Sequence, residues 1–345
     1  MKENNFDLLR FFFAFVVVLG HMTILSKSTV LHTLSPYFST YLSVTAFFCI
    51  SGYLITSSYL NTPSIKRYFI KRAARLLPAY IFVILICAIL LSFTSSYSIS
   101  GYFRNEQFYK YLFANLTFLN FLAPSLPGVF LQHGIANPVN GALWTLKVEV
   151  AFYLLLPAII YFIQRFKRKY IPILIIYSIS LIYQFSFDWY FERTGNQIYN
   201  LISHQLPAYL TYFGSGIALY YYYDIFIKHK TKLFILGFIF YFLEHKIGIQ
   251  FFTPFALSLM VFAFAYSLKS LNSFAKHGDL SYGIYIYHYP IISMAVYFNL
   301  FNQYNPFLIA LITILIILII SYLSWHLLEK KVLGRVHQAI PRTIG

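Results

Sequence analysis

The chain has 345 residues, of which 59% are apolar and only 10% are charged, whereas an average soluble domain has roughly 25% charged residues. So few charges cannot cover a water-soluble surface, which excludes a soluble enzyme, a disordered chain and a fibrous repeat and leaves an integral membrane protein. The formal net charge of +16 comes mostly from short basic clusters between apolar runs, a pattern that membrane topology explains without nucleic acid.

Ten apolar runs predict membrane-spanning helices, since crossing the hydrocarbon core takes about 20 residues. An eleventh run, 109–122, is shorter and is either a span or an interfacial element. The ten runs, one of them short, lie at 8–25, 38–60, 76–93, 144–163, 170–187, 205–223, 232–243, 250–268, 281–299 and 307–327.

The positions of the basic residues decide both the status of 109–122 and the orientation of the chain. With the N-terminus inside and 109–122 not counted as a span, 20 Lys and Arg fall on the cytoplasmic side, five on the outer side and one, Lys147, within a span, which accounts for all 26. Counting 109–122 as a span would move 13 of the cytoplasmic charges to the outer side. The sequence therefore predicts an all-α bundle of about ten transmembrane helices with both termini in the cytoplasm. The segment 94–143 becomes a long outer loop with an embedded apolar helix or re-entrant piece.

No soluble segment, internal repeat or low-complexity linker interrupts this pattern. We therefore expect one transmembrane domain over 1–345, with no appended soluble domain. A signal peptide over 1–25 is the less favoured alternative, because no small-residue cleavage site follows it. Cys49 and Cys87 lie in apolar runs without CxxC spacing, so neither a disulfide framework nor a metal site is expected.

The first predicted helix carries ionisable residues on one face. An ionisable side chain near the middle of a span costs about 2.5–3.5 kcal/mol on insertion scales, so its retention points to function. Asp7, Arg10 and His21 fall within about 60° of one another on a helix, with His21 about 16 Å deeper than Arg10. An imidazole below a fixed cation suits a general base with an anion-binding entrance. The alternative is a histidine that hydrogen-bonds a neighbouring helix for packing.

A basic cluster precedes the third predicted helix. Arg72 and Arg75, three positions apart, share a helical face, and guanidinium groups match phosphate oxygens with paired hydrogen bonds. The pair is therefore a candidate phosphate clamp. The alternative is that the cluster only sets the topology and contacts anionic lipids.

The fourth and ninth predicted helices each carry a polar residue at membrane depth. Glu149 lies a few residues below Trp144, which fits an interfacial aromatic belt, so the carboxyl must be paired, protonated or facing water. In the ninth helix, Pro290 cannot donate a backbone hydrogen bond and predicts a kink beside His288. A broken helix is tolerated in a bilayer only where protein or water satisfies the freed backbone. The tyrosines around it, Tyr285 among them, are interpreted as packing in preference to a sugar-binding platform.

Six short segments carry these residues and follow one another along the chain. They are Asp7-Leu-Leu-Arg10 with His21 after ten residues, Phe48–Ile55 around Ser51-Gly52, Arg72–Pro78, Leu143–Glu149, Ser281–Pro290 and Trp325–Lys330. Together they resemble the signature segments of the bacterial membrane-bound acyltransferase family 3, the multi-span O-acyltransferases that modify surface polysaccharides and lipids. The chain departs from the family pattern at Thr145, Val150, Tyr289 and Lys331.

The resemblance implies an acyl-CoA donor, most simply acetyl-CoA, and a hydroxyl acceptor on a cell-envelope glycan or lipid-linked saccharide, at the inner membrane of a bacterium. No metal is expected. His21 would take the acceptor's proton or first accept the acyl group, and Glu149 would orient His21 or contact the acceptor. The alternatives are a transporter or flippase of a lipid-linked saccharide or polysaccharide, and a structural subunit of an envelope-synthesis complex. The predicted site has two catalytic residues, three donor-binding residues and four residues of the acceptor site or pocket: His21 and Glu149; Arg10, Arg72 and Arg75; Trp144, Tyr285, His288 and Ser51.

Overall fold

The computed structural model describes residues 4–132, 135–248, 250–267, 274 and 278–339, and these are mostly helical. The apolar runs form helices because in lipid each backbone N–H and C=O must be satisfied within its own segment. In chain order the helices are α1 (Phe6–Leu25), α2 (Thr29–His32), α3 (Thr40–Leu60), α4 (Ile65–Leu90), α5 (Ile99–Arg104), α6 (Glu106–Leu116), α7 (Trp144–Gln164), α8 (Tyr170–Thr194), α9 (Gln197–Ser203), α10 (Leu206–Tyr221), α11 (Tyr223–Lys228), α12 (Lys230–Ile247), α13 (Thr253–Ala265), α14 (Ser281–Tyr297), α15 (Leu300–Gln303), α16 (Pro306–Ser324) and α17 (Lys330–Ala339).

Short irregular elements complete the described chain. Two-residue strands β1 (Leu131–Gln132) and β2 (Ile135–Ala136) pair antiparallel. A 3-10 turn, Gly141–Leu143, leads into α7, and a π-helical turn, Trp325–Glu329, joins α16 to α17. Two further 3-10 turns lie at Ser35–Tyr37 and Leu91–Thr94.

Six helical segments of the described chain are long and apolar enough to cross a membrane, which confirms an all-α membrane protein. They are Phe6–Leu25, Thr40–Leu60, Ile65–Thr94, Gly141–Gln164, Tyr170–Thr194 and Pro306–Val336.

The other four predicted spans also form helices, but shorter or more charged ones. Helices α10, α13 and α14 have 16, 13 and 17 residues. Helix α12 has 18 residues but carries three lysines and one glutamate. The count of ten spans and the side on which the termini lie stay predictions. Four basic residues used in the charge count lie outside the described residues: Lys2, Lys269, Lys276 and Arg342.

The segment 109–122 does not form a long helix. Helix α6 covers its first part and has 11 residues, or about 16 Å, against a hydrocarbon core of about 30 Å. This agrees with its assignment to the loop 94–143.

Helix α4 begins eleven residues before the predicted span 76–93. Lys, Arg, Ala and Leu are all good helix formers, so the basic cluster continues the helix although it ends the apolar run. Arg72 and Arg75 therefore lie on regular helix, and the spacing that places them on one face holds.

The chain folds into two compact units. Unit 1 comprises 1–10, 41–69 and 148–274, and unit 2 comprises 11–40, 70–147 and 275–345. A single domain over 1–345 stays a prediction.

Within unit 1, helices α3 and α10 approach closely because glycines face each other's backbone. A Cβ on Gly52 would lie 2.0 Å from the carbonyl oxygen of Phe213, and one on Gly216 would lie 2.1 Å from that of Cys49. Only glycine fits at such contacts, which are typical of helix packing in membranes.

Candidate active site

Two histidines from distant parts of the chain meet in unit 2. Nδ1 of His21, on α1, lies 2.8 Å from Nε2 of His288, on α14. The two rings are nearly parallel, at 15°, with centroids 5.0 Å apart. His288 is completely buried, whereas His21 is partly exposed. Both were predicted site residues, but nothing in a separation of 267 positions pointed to their contact.

Helix α14 runs without interruption through Pro290, so the kink stays a prediction, and a side chain supplies the hydrogen bond that the proline removes. Pro290 lies inside the helix and has no N–H to donate to the carbonyl of Ile286. Nδ2 of Asn140 donates to that carbonyl at 2.8 Å. The oxygen of the same side chain accepts from the N–H of Ala142 at 3.2 Å and caps the turn before α7. Asn140 thus joins the turn before α7 to the turn of α14 that contains Pro290.

Two further contacts hold this turn near the histidines. Oγ1 of Thr145 lies 2.7 Å from the hydroxyl of Tyr285. Thr145 thus supplies a hydroxyl, as the Ser of the family pattern also does. The ring of Tyr289 meets the His21 ring edge-on, with centroids 5.5 Å apart. A Cβ on Gly141 would lie 2.7 Å from the Tyr289 ring, so a larger residue at 141 would push that ring aside. Trp144, at the start of α7, is 37% exposed.

Arg75 lies between two carboxylates in unit 2. Its guanidinium group contacts the carboxylate of Asp279 at short range and lies 3.4 Å from Oε2 of Glu329. The Glu329 side chain is only 1% exposed. Its other oxygen accepts from the hydroxyl of Ser324 at 3.2 Å, and Tyr287 donates to Ser324 at 2.9 Å. The Arg75 charge is therefore already offset by acidic partners.

The other two predicted phosphate ligands lie on α4 and α1. Arg72 is partly buried one turn before Arg75. In unit 1, Arg10 lies 3.7 Å from the carboxylate of Asp7, so the two share a helical face as predicted. No group of three His, Cys, Asp or Glu within the described ranges could hold a metal ion.

Glu149, in unit 1, binds hydroxyl groups. Tyr153 donates to its Oε1 at 2.5 Å, and Ser51 of α3 donates to the same oxygen at 3.5 Å. The structure therefore brings two predicted site residues, Ser51 and Glu149, together.

Sequence reasoning missed Asn140, Asp279 and Glu329 as partners in these networks. Pro290 indicated that the Ile286 carbonyl needs a donor, but not which residue supplies it. Glu329, an acidic residue at the end of an apolar run, was a signal that went unused.

The sequence model of the family described as "Acyltransferase domain" matches residues 3–326. The chain belongs to the membrane-bound acyltransferase family 3. The resemblance of the six segments is thus confirmed over nearly the whole chain.

Individual relatives agree with this membership. Nodulation protein 10 of Rhizobium leguminosarum bv. viciae is 26% identical over 327 residues, covering 83% of this chain and 82% of that protein. An O-acetyl transferase of Shigella phage Sf6 is 26% identical over 342 residues, covering 97% of each chain. A peptidoglycan O-acetyltransferase OatA of Listeria monocytogenes serovar 1/2a is 26% identical over 149 residues, which cover 41% of this chain and 23% of that protein. No solved structure matches this acyltransferase.

Family membership confirms an enzyme that transfers acyl groups at a membrane. Of the three interpretations of the sequence, the transporter and the structural subunit therefore lose their support. Acyl transfer to a hydroxyl needs a base, and an imidazole of the histidine pair is a group that can act as one.

Proposed function

We propose that this acyltransferase moves an acetyl group from cytoplasmic acetyl-CoA to a hydroxyl of a cell-envelope glycan or lipid-linked saccharide. The O-acetyl transferase of phage Sf6 and the peptidoglycan O-acetyltransferase of Listeria support the group transferred, and the second of them also supports a glycan as acceptor. The observation that carries the proposal is the partly exposed imidazole of His21, hydrogen-bonded to a buried partner within a membrane helix.

His21 acts as the general base. As the acceptor hydroxyl oxygen attacks the thioester carbonyl, His21 takes the hydroxyl proton. The carbon–oxygen bond forms, the carbon–sulfur bond breaks with its electron pair leaving on sulfur, and His21 returns the proton to the departing thiolate. In a two-step version the imidazole first accepts the acetyl group. Release of thiol before any acceptor is added identifies that version.

Arg72 and Arg75 bind the phosphates of the donor. Coenzyme A carries a 3′-phosphate and a pyrophosphate, and guanidinium groups bind such oxygens bidentately. The same role is proposed for Arg10 at the start of α1.

Glu149 accepts hydrogen bonds from hydroxyl groups of the acceptor. Its carboxylate already binds the hydroxyls of Tyr153 and Ser51, which have the same donor chemistry as a sugar hydroxyl. Trp144 and Tyr285 belong to the acceptor side of the same proposal.

The chain crosses the bacterial inner membrane ten times, with both termini in the cytoplasm. The excess of basic residues on the cytoplasmic side supports this orientation. It leaves the cytoplasm as the source of acetyl-CoA.

The test is release of free thiol from acetyl-CoA by the purified protein, with candidate envelope glycans as acceptors. His21→Ala should abolish acetyl transfer while the amount of protein in the membrane stays unchanged. His32→Ala is the matched control, because His32 is an exposed histidine on the short helix α2 and should remain fully active. Normal activity of His21→Ala would contradict the proposal.

A further inference from the structure

The buried histidine of the pair has no role in the chemistry described so far. On the basis of the proposed function of His21, we propose that His288 is its positioning residue: the hydrogen bonds of His288 hold His21 in the tautomer that leaves Nε2 unprotonated. His288 does not touch the reacting atoms in this account. It acts only through the ring of His21.

The direction of the hydrogen bonds follows from the partners of His288. Nδ1 of His288 lies 3.2 Å from the carbonyl oxygen of Ile284, which can only accept, so this nitrogen carries a proton. A neutral imidazole with a proton on Nδ1 accepts at Nε2. Nδ1 of His21, 2.8 Å away, must therefore donate to it. The remaining nitrogen of His21, Nε2, keeps its lone pair and is the atom that can take a proton from a hydroxyl.

The hydrogen bonds of the turn around Pro290 hold His288 in place. His288 lies between Ile286, whose carbonyl is held by Asn140, and Pro290, which creates the free carbonyl. Tyr285 is held one position further by Thr145. The His288 ring itself cannot rotate without losing its hydrogen bonds to the Ile284 carbonyl and to His21. The turn that carries the ring is tied to the segment that begins α7 at two positions.

A histidine that only fills space would not need a fixed donor and a fixed acceptor on its ring. A packing role requires apolar contact and volume, whereas the observed contacts use both ring nitrogens of His288 as one donor and one acceptor. This is the arrangement in which a third group orients a catalytic base, generalised from catalytic triads. The orienting group here is a neutral imidazole in place of a carboxylate.

Two substitutions separate positioning from packing. His288→Gln keeps an acceptor oxygen near the place of Nε2, whereas His288→Leu fills much of the volume without an acceptor. We expect His288→Leu to lower kcat by about 100-fold or more, as for other orienting residues, with the KM for acetyl-CoA unchanged. His288→Gln should recover a large part of that loss. Equal activity of the two variants, or a wild-type kcat in His288→Leu, would overturn the inference.

A spectroscopic measurement tests the wild-type enzyme directly and does not depend on the folding of the His288 variants. In protein labelled with 15N-histidine, the signals of His21 are assigned by their loss in His21→Ala. For His21 we expect a proton on Nδ1 and none on Nε2. A proton on Nε2 would contradict the inference. The two proposals fail separately: an active His21→Ala enzyme ends the proposed function, whereas an inactive His21→Ala enzyme with a fully active His288→Leu enzyme ends only the role of His288.

Discussion

One guanidinium group, that of Arg75, contacts two carboxylates in unit 2, and its removal should affect folding more than donor binding. Glu329 is almost completely buried, so Arg75→Ala removes from a buried carboxylate the guanidinium group that contacts it. Breaking such a pair costs about 3–5 kcal/mol. We expect a clearly lowered unfolding midpoint for Arg75→Ala in detergent, measured by thermal denaturation.

The matched variant is Arg72→Ala, one turn earlier on the same helix. It should lower the unfolding midpoint less than Arg75→Ala does, because Glu329 keeps its contact with Arg75, and it should raise the KM for acetyl-CoA. Equal loss of stability in the two variants would show that the carboxylates do not distinguish the arginines. Arg75→Lys keeps the charge, but an ammonium group lacks the two-pronged guanidinium that contacts both carboxylates. Its unfolding midpoint should lie between those of Arg72→Ala and Arg75→Ala.

At the residue scale, the sequence predicts which side chains have a chemical role but not which residues they contact. His21, Glu149 and Arg75 are recognisable because a polar or charged group in or beside a membrane helix is costly and must have a use. Their contacts with His288, Ser51 and Glu329 depend on how helices far apart in sequence pack. No periodicity within one helix contains that information.

In the turn of α14 around Pro290, the Ile286 carbonyl accepts a hydrogen bond from the side chain of Asn140. A residue other than proline at position 290 would offer a backbone N–H to the same carbonyl. Asn140→Ser keeps an oxygen that can cap the turn before α7 but removes the amide donor. The orphaned carbonyl should cost about 1–3 kcal/mol.

Pro290→Ala supplies the missing N–H from within the helix, so it should relieve that cost. In a double-mutant cycle, Pro290→Ala should therefore stabilise the Asn140→Ser protein more than it stabilises the wild type, with a coupling of about 0.5–3 kcal/mol. Urea or thermal unfolding of the four proteins measures it. Strict additivity would mean that the Asn140 amide and the backbone at position 290 do not serve the same carbonyl.

Element boundaries were predictable where an apolar run ends in turn or loop residues. Predicted spans 8–25, 38–60 and 144–163 differ by no more than two residues from Phe6–Leu25, Thr40–Leu60 and Trp144–Gln164. Hydropathy failed where a helix continues through charges, as at the start of α4. It also gave no sign of the β1–β2 hairpin, which backbone pairing and not apolar burial defines.

At the scale of the whole molecule, the sequence predicts ten membrane crossings, whereas six helical segments of the described chain are long and apolar enough to cross. If only the six long helices crossed, with the N-terminus inside, everything from 195 to 305 would lie outside. That segment holds six lysines: Lys228, Lys230, Lys232, Lys246, Lys269 and Lys276. The positive-inside rule disfavours this arrangement and favours the ten-span chain.

Single cysteines distinguish the two topologies. Cys49 and Cys87 are buried, so both can be replaced by alanine to give a background without reactive thiols. Lys110, Lys228 and Lys331 are exposed and accept a cysteine without disturbing the core. Ten spans place position 110 outside and positions 228 and 331 inside, whereas six spans place 228 outside with 110.

In intact cells, a membrane-impermeant maleimide should therefore label Lys110→Cys and leave Lys228→Cys and Lys331→Cys unlabelled until the membrane is permeabilised. Labelling of Lys228→Cys in intact cells would reduce the number of crossings and contradict the ten-span chain. Labelling of Lys331→Cys but not Lys110→Cys would invert the molecule. Inversion would put the Arg72 and Arg75 end of α4 outside, where the cell offers no acetyl-CoA, so the same experiment also tests the proposed source of the donor.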